Sequence, residues 1–199
     1  SETAIGTPIT LNSLADGIYT VYVIGRNSSG TWQDEAAPTI SQTWAVLGGS
    51  RTIVLNEVLA LNNSAVNHEG TYPDMIELRN VSGSTINLTG LRLTDDLDNP
   101  NKYVFASQNL GAGQYLILYA NNPAGTSGIH LGFGLNQDGE NLYLLEPAAQ
   151  GNRVLDTVTF GLQLADLSVG RLANGRWGLA TPTFGGANTA AATGNPSSL

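Results

Sequence analysis

The sequence predicts an all-β protein built as a sandwich or barrel of short strands. Apolar runs are short, and the 24 glycines, together with asparagine, serine and threonine, interrupt them throughout the chain. No apolar stripe persists at the 3.6-residue helical period for three turns. Runs with strand character instead recur at the spacing that is typical of sandwiches and barrels.

Apolar runs bounded by turn residues predict the individual strands. These are Pro8–Leu14, Ile18–Arg26, Thr39–Leu47, Thr52–Leu61, Met75–Val81, Leu91–Thr94, Lys102–Ala106, Tyr115–Ala120, Leu142–Glu146 and Leu155–Gly161. In "MIELRNV", Ile76 and Leu78 alternate with Glu77 and Arg79, which predicts one buried and one solvated face. The run "QYLILYA" is apolar on both faces, so we expect it at the centre of a sheet.

Composition excludes several classes of protein. The 199 residues are 41% hydrophobic, which suffices for one sizeable core or two modest ones. The absence of cysteine excludes disulfides and thiolate sites. A net charge of −8, with Lys102 as the only lysine, opposes binding to nucleic acid. No apolar run is long enough for membrane insertion, and we expect any export signal to lie outside this sequence.

Turn residues divide the chain into three predicted parts. "LGGSR", residues 47–51, separates two sets of strand patterns and predicts a domain boundary. Residues 1–49 then form one part, and residues 50–188 form a second domain. The remainder, residues 189–199, is small and polar, which predicts a linker or tail.

The first part contains a motif at its predicted strand over Ile18–Arg26. Leu14, Gly17 and Tyr19 form the L-x-x-G-x-Y pattern, which resembles the tyrosine corner of immunoglobulin-like and fibronectin type III sandwiches. Such a sandwich takes about 100 residues, so residues 1–49 are expected to be only its last three strands. Their unpaired edges predict packing against residues 50–188 or against a second copy of the chain in a homodimer.

The second part carries four sequence blocks in order. They are "IVLNEVLALNNS", "YPDMIELRNVSGSTINLTGLRLTDD", "FGLNQDGENLYLLEP" and "SVGRLANGRWGLATPTFGGAN". Together they resemble the lamin tail domain family, including its "D-x-I-E-L-x-N" core from Asp74 to Asn80. The resemblance implies an immunoglobulin-like β-sandwich, with the partial N-terminal strands added to it. Met75 and Phe184 depart from the tryptophan and proline that the family usually has at these places.

The packing of this sandwich is predicted from its apolar positions. We expect the core to contain Leu116, Leu118, Phe133, Leu142, Leu144, Val158, Phe160 and Trp177. Asp138-Gly139 in "NQDGEN" predicts a hairpin, because glycine supplies the positive φ that a tight turn requires.

The segment "TDDLDNPNKY", residues 94–103, holds the densest acidic cluster. Asp95, Asp96, Asp98 and Asn99 could bind calcium, which prefers closely spaced carboxylate and carbonyl oxygens. The EF-hand pattern fails, because its glycine is absent and no glutamate closes the loop. The alternative is that Asp and Asn hold a turn while Asn99-Pro100 ends the strand. No other cofactor is expected.

Catalytic patterns are weak elsewhere in the sequence. Asp74 and Glu77 are three apart in a strand, so they point to opposite faces and cannot flank one bond. We expect Asp74 at the entrance of the strand and Glu77 on the solvated face or in a polar network. His68 and His130 show no ligand spacing. Ser127 in "GTSGI" lacks the G-x-S-x-G elbow. We therefore predict a protein that is not an enzyme. The alternative is a metal-dependent hydrolase that uses the aspartates of residues 94–103 with His68.

The family resemblance implies a function outside the cell. Similar bacterial domains lie beside exported enzymes, so we expect an interaction or spacer module of a larger exported, bacterial, multidomain protein. It would be extracellular or on the cell surface and would contact other domains of its own polypeptide. A protein or polysaccharide ligand would support adhesion, and Tyr72, Tyr103 and Tyr119 are candidate contacts.

Overall fold

The computed structural model describes residue 4 and residues 6–41, 43–49, 51–122 and 125–191. In this part of the chain the regular structure is sixteen β-strands and one 3₁₀ helix, Ala148–Gln150. The predicted all-β fold is therefore confirmed. The chain divides into two compact units, Ser1–Gly49 and Ser50–Leu199. No helix of the described residues has the length and apolar character needed to cross a membrane.

The first unit consists of two antiparallel ribbons, in which β1 pairs with β4 and β2 with β3. Its strands are β1 (Gly17–Tyr19), β2 (Tyr22–Val23), β3 (Thr39–Ile40) and β4 (Trp44–Val46). The two longer predicted strands are thus each broken in two. At the break the Val21 amide donates to the Ser41 hydroxyl at 2.8 Å instead of to a ladder carbonyl.

The predicted strand Pro8–Leu14 is wrong, since residues 8–14 form no strand. Pro8 has no amide hydrogen for a ladder, and the side chains of Ile9 and Leu11 are 59% and 47% exposed. The tyrosine motif behaves as its pattern predicts, because the Tyr19 hydroxyl donates to the Ala15 carbonyl oxygen at 2.8 Å. The immunoglobulin-like origin of this unit stays a prediction.

The second unit is a sandwich of two antiparallel sheets. One sheet has six strands in the order β11-β6-β5-β14-β15-β16, and the other has four in the order β13-β12-β8-β9. The short strands β7 and β10 pair with each other. The strands are β5 (Ile53–Leu59), β6 (Asp74–Asn80), β7 (Ile86–Asn87), β8 (Arg92–Thr94), β9 (Tyr103–Val104), β10 (Asn109–Leu110), β11 (Tyr115–Ala120), β12 (Glu140–Leu145), β13 (Val154–Phe160), β14 (Ser168–Arg171), β15 (Trp177–Thr181) and β16 (Thr189–Ala190).

The core lies between the two sheets. Leu55, Ile76 and Leu118 reach it from the six-stranded sheet, and Leu144 and Phe160 reach it from the four-stranded sheet. The eight predicted core side chains are confirmed. Five are buried members of the core, and the other three, Leu116, Phe133 and Trp177, pack against it while partly buried.

The position of β11 differs from the prediction. Its two apolar faces suggested a central strand, but β11 is an edge strand of the six-stranded sheet. Its outer side is partly covered by the chain itself. The Tyr119 amide donates to the Ile129 carbonyl at 2.8 Å, and the Leu131 amide donates to the Tyr119 carbonyl at 2.9 Å. Residues 129–131 thus replace a neighbouring strand over part of this edge.

Two further local predictions are corrected by the structure. Asp138-Gly139 forms a turn in which the Gly139 amide donates to the Asn136 carbonyl at 3.0 Å. The turn precedes β12 but does not join two strands of a hairpin, because β12 pairs with β13 and β8. At the C-terminal end, β16 pairs with β15 inside the predicted tail. Residues 192–199 of that tail lie outside the described residues.

Candidate functional site

The acidic turn, residues 94–103, links β8 to β9 and is held by its own polar groups. The Thr94 hydroxyl lies 2.8 Å from the Asp96 carbonyl oxygen and 2.9 Å from that of Asn99. The same hydroxyl accepts the Asp96 amide at 3.0 Å. A carboxylate oxygen of Asp96 accepts the Asp98 amide at 2.9 Å. These contacts are the turn-forming contacts that were the alternative to a calcium site.

Asp95, unlike Asp96, contacts a charged side chain within the described part of the chain. Its carboxylate forms an ion pair with Lys102 at 2.5 Å. The same two groups act on Glu140, at the start of β12. Burial raises the pKa of Glu140 to about 7, with Asp95 and Asp74 adding to the rise while the Asn136 amide and Lys102 oppose it. Two carboxylates and one lysine therefore act on the protonation of Glu140.

No group of three or more His, Asp or Glu side chains in the described part of the chain is placed to hold a metal ion. Calcium also binds amide and carbonyl oxygens, so this finding does not test the calcium site on Asp95, Asp96, Asp98 and Asn99. That site stays a prediction, as does the hydrolase alternative that would use it.

We expect the thermal midpoint to be the same in chelator and in excess calcium. A ligand that binds only the folded state raises the midpoint, whereas here Asp95 is paired with Lys102 and Asp96 with a backbone amide. Circular dichroism melts of the full chain measure this. A calcium-dependent rise that is lost in Asp96→Asn and Asp98→Asn would contradict the expectation and locate calcium at the turn.

His68 and His130, 62 positions apart in sequence, come close together in space. Their ring centroids are 6.2 Å apart, and Tyr119 lies beside both, stacked on His68 at 3.7 Å. His68 Nε2 donates to the Ser127 carbonyl at 2.8 Å. The Ser127 hydroxyl donates to Glu69, not to a histidine, so these residues do not form a nucleophilic triad.

The three tyrosines proposed as ligand contacts have different environments. Tyr72 is 44% exposed. Tyr103 packs edge-on against Phe105 with ring centroids 5.0 Å apart. Tyr119 is stacked on His68 and lies close to Gly128. Of the three tyrosines, only Tyr72 has an exposed side chain.

Two fully buried carboxylates lie side by side on neighbouring strands of the sandwich. Glu57 of β5 and Glu77 of β6 are register partners, and both are fully buried. A register shift between Leu55 and Glu57 marks a bulge at Asn56. The Asn56 amide Nδ2 donates to Glu77 at 2.7 Å. Of the two predicted environments of Glu77, the solvated face is wrong and the polar network is confirmed, because other parts of the chain cover this face.

The cover includes the closing segment, residues 182–188, between β15 and β16. The Thr183 amide donates to Glu57 at 3.0 Å, and the Gly185 amide donates to Glu77 at 2.5 Å. From β14, the Ser168 hydroxyl donates to Glu57 at 2.5 Å. Every one of these groups donates to a carboxylate oxygen.

Burial dominates the protonation of this pair. It raises the pKa of Glu57, against the lowering effect of the hydrogen bonds from Ser168 and Thr183. It raises the pKa of Glu77 to about 7, against the Gly185 and Asn56 hydrogen bonds, and the charge of Glu57 adds to the rise. The pair thus retains a proton at a higher pH than an exposed glutamate does.

The sequence from Leu47 to Gly161 matches the family model of the Lamin Tail Domain. The match covers more than half of the chain and includes Glu57, Glu77 and most of the sandwich. The chain belongs to the lamin tail domain family. No curated protein matches the sequence.

The lamin tail domain is an immunoglobulin-like sandwich and a non-catalytic module, and the predicted fold class is confirmed. In this lamin tail domain the closing segment lies beyond the matched residues, although it binds two carboxylates within them. Its contacts therefore connect the matched region to the remainder of the sandwich.

Sequence reasoning missed the polar groups inside this lamin tail domain. Asp156 of β13 lies on the core-facing side between Val154 and Val158, and it is 1% exposed. The alternation of "VLDTVTF" contained the signal, because it places a carboxylate on the apolar face of a strand. Arg51 and Arg171 pair with it at 3.0 and 2.7 Å.

Proposed function

We propose that this chain is a non-catalytic interaction module of a larger exported, bacterial, multidomain protein, located outside the cell or on its surface. Membership of the lamin tail domain family supports the non-catalytic part of the proposal. The absence of cysteine and the presence of a single lysine are compatible with an exported domain. The carboxylates Glu57 and Glu77, which could suggest acid catalysis, are buried and bonded to their own chain.

A pair of exposed side chains in the first unit supports the interaction part. Tyr22 of β2 and Ile40 of β3 are register partners, and they are 65% and 57% exposed. Register partners in an antiparallel pair lie on the same face of the ribbon. Isolated two-stranded ribbons are marginally stable in water, so an apolar pair on one of them indicates a surface that another protein covers.

We propose a second copy of this chain as the occupant of that surface. In a twofold contact the same patch meets itself, so the Tyr22 and Ile40 pair of each copy would cover that of the other. No further apolar partner is then required. The net charge of −8 opposes association of two copies, and salt screens this repulsion. The dimer should therefore be favoured by moderate salt.

A polysaccharide ligand has less support than a protein partner. Recognition of a sugar by stacking requires an open aromatic face, and Tyr103 and Tyr119 both have a ring packed against them. Tyr72 is the more exposed of the three proposed contacts. We therefore propose protein contacts, including those with other domains of the same polypeptide, as the main role.

We expect light scattering to give twice the chain mass of 20.8 kDa for the full chain in about 0.15 M salt. The double variant Tyr22→Ser and Ile40→Ser should give the single-chain mass in the same measurement, since it removes the apolar pair. A melt of each protein checks that the sandwich remains folded.

The matched control removes two exposed leucines from the other unit. Leu162 and Leu164 are 73% and 53% exposed, so Leu162→Ser and Leu164→Ser lose similar apolar surface elsewhere. This control should keep the mass of the wild type. A wild-type protein of single-chain mass would contradict self-association and move the proposed contact to another domain or protein.

A further inference from the structure

The buried pair of Glu57 and Glu77 is unusual because no cation neutralises it. The ion pairs found in the described residues involve neither glutamate. The two are register partners, and like charges at such positions repel each other. Two buried carboxylates without a cation are more stable when one of them is protonated.

The closing segment depends on this pair for several of its contacts. Its Thr183 and Gly185 amides donate to Glu57 and Glu77. At its end, Asn188 Nδ2 donates to the carbonyl oxygens of Asn56 at 2.7 Å and of Arg171 at 3.1 Å. The segment is thus held at one end by two carboxylates and at the other by an amide side chain.

We propose that the closing segment is a pH-sensitive latch, which the Glu57 and Glu77 pair holds closed while it keeps a proton and releases when both carboxylates are ionised. The proton leaves to solvent when the second carboxylate ionises. Opening of the segment then lets water reach both charges, which removes the repulsion and the cost of keeping them dry. Opening would expose the face of the six-stranded sheet near Asn56, to whose carbonyl oxygen Asn188 donates in the closed state.

The charged groups around the pair do not offset this effect. Arg79, two residues further along β6, lowers the pKa of Glu77 less than burial raises it. On β14, Arg171 is bound to Asp156 and to the Leu55 carbonyl. The closing segment, "PTFGGAN", contributes no ionisable side chain. Burial is therefore the dominant influence on the protonation of the two glutamates.

The direction of the effect follows from the burial of two like charges as register partners, and the raised pKa of Glu77 agrees with it. That pKa lies at about 7 in the folded chain against an ordinary value of 4.5. A group whose pKa is raised by folding stabilises the closed state fully below the ordinary value. This stabilisation is lost as the pH rises through about 7, so the latch should be closed in weak acid and loosened in weak base.

Hydrogen exchange of the full chain tests the latch at single amides. We expect the protection of the Thr183 and Gly185 amides, corrected for intrinsic exchange, to fall at least about tenfold between about pH 5.5 and about pH 8.5. Glu77→Gln cannot ionise and keeps one of the two acceptor oxygens, so its protection should be lower overall but should change little between these two pH values.

Two controls separate the latch from other titrations. Glu140 also has a pKa of about 7, so Glu140→Gln removes another titration and should leave the fall at Thr183 and Gly185 intact. Gly170→Ala places a Cβ about 2.8 Å from Asn188 and should loosen the segment equally at both pH values.

Protection that is independent of pH in the wild type would overturn the proposal, and so would an equal fall in Glu77→Gln. A carbon-13 titration of the Glu77 carboxyl in the wild type needs no variant. A midpoint near that of an exposed glutamate would also overturn it.

Discussion

Replacing Asp156 with alanine is expected to destabilise the sandwich by about 3–5 kcal/mol. Asp156 is 1% exposed and forms ion pairs with Arg51 and Arg171. Its carboxylate also accepts the Leu55 amide at 2.8 Å. The substitution removes the only acidic partner that either arginine has among the ion pairs of the described chain.

The size of the effect comes from what is left behind. Asp156 belongs to the four-stranded sheet, whereas Leu55 and Arg171 belong to the six-stranded sheet. Alanine therefore leaves a buried amide and a largely buried guanidinium, which is 17% exposed, without their partner between the sheets. Burial raises the pKa of Asp156, and both arginines oppose this rise.

Urea unfolding at neutral pH measures this change. Asp156→Asn should cost less, because its amide oxygen can still accept the Leu55 amide. Asp138→Ala is the matched control, since Asp138 is exposed in the turn before β12 and its loss should cost less than about 0.5 kcal/mol. A loss below about 1 kcal/mol in Asp156→Ala would show that the arginines find equivalent partners.

Replacing Leu118 with alanine is expected to cost about 2–5 kcal/mol. Leu118 of β11 is fully buried in the core between the sheets, and it is a register partner of Ile76. Truncation removes apolar surface and leaves a cavity, and the β11 backbone is held by its pairing to β6, which limits collapse into that space.

The control is the same substitution at an exposed leucine. Leu164 is 53% exposed, so Leu164→Ala should change the free energy of unfolding by less than about 0.5 kcal/mol. Urea unfolding of both variants gives the comparison, provided that the dependence on urea is unchanged. Equal losses in the two variants would be incompatible with a core that includes Leu118.

Strong apolar patterns were sufficient to place the main strands of the sandwich. The prediction of Tyr115–Ala120 matches β11 in both of its ends, and the prediction of Met75–Val81 differs from β6 by one residue at each end. Five strands of the described chain were missed. β7, β10 and β16 have two residues each, which cannot show a period. β14 and β15 are four and five residues long, but Gly170 and Gly178 interrupt their apolar pattern. Whether a strand lies at an edge depends on its neighbours, which is why β11 was placed wrongly.

The candidate site also contains features that the sequence predicts and features that only tertiary contacts decide. Asn56, Glu57 and Glu77 could be recognised as parts of a family motif, but alternation alone predicted a solvated Glu77. Their burial depends on the closing segment, more than 100 residues later in the sequence. No local pattern contains that contact. The acidic turn is the opposite case, since bonds within residues 94–103 account for its geometry.

The sequence by itself determined the all-β class and the eight core side chains, because burial of apolar side chains follows directly from strand period and turn residues. Four sequence blocks indicated the family through their resemblance to it. Only the tertiary structure decided which carboxylates are buried, which strands lie at edges, and that His68 meets His130. The physical reason is that solvation and charge depend on what covers a residue. Here that cover comes from parts of the chain far away in sequence.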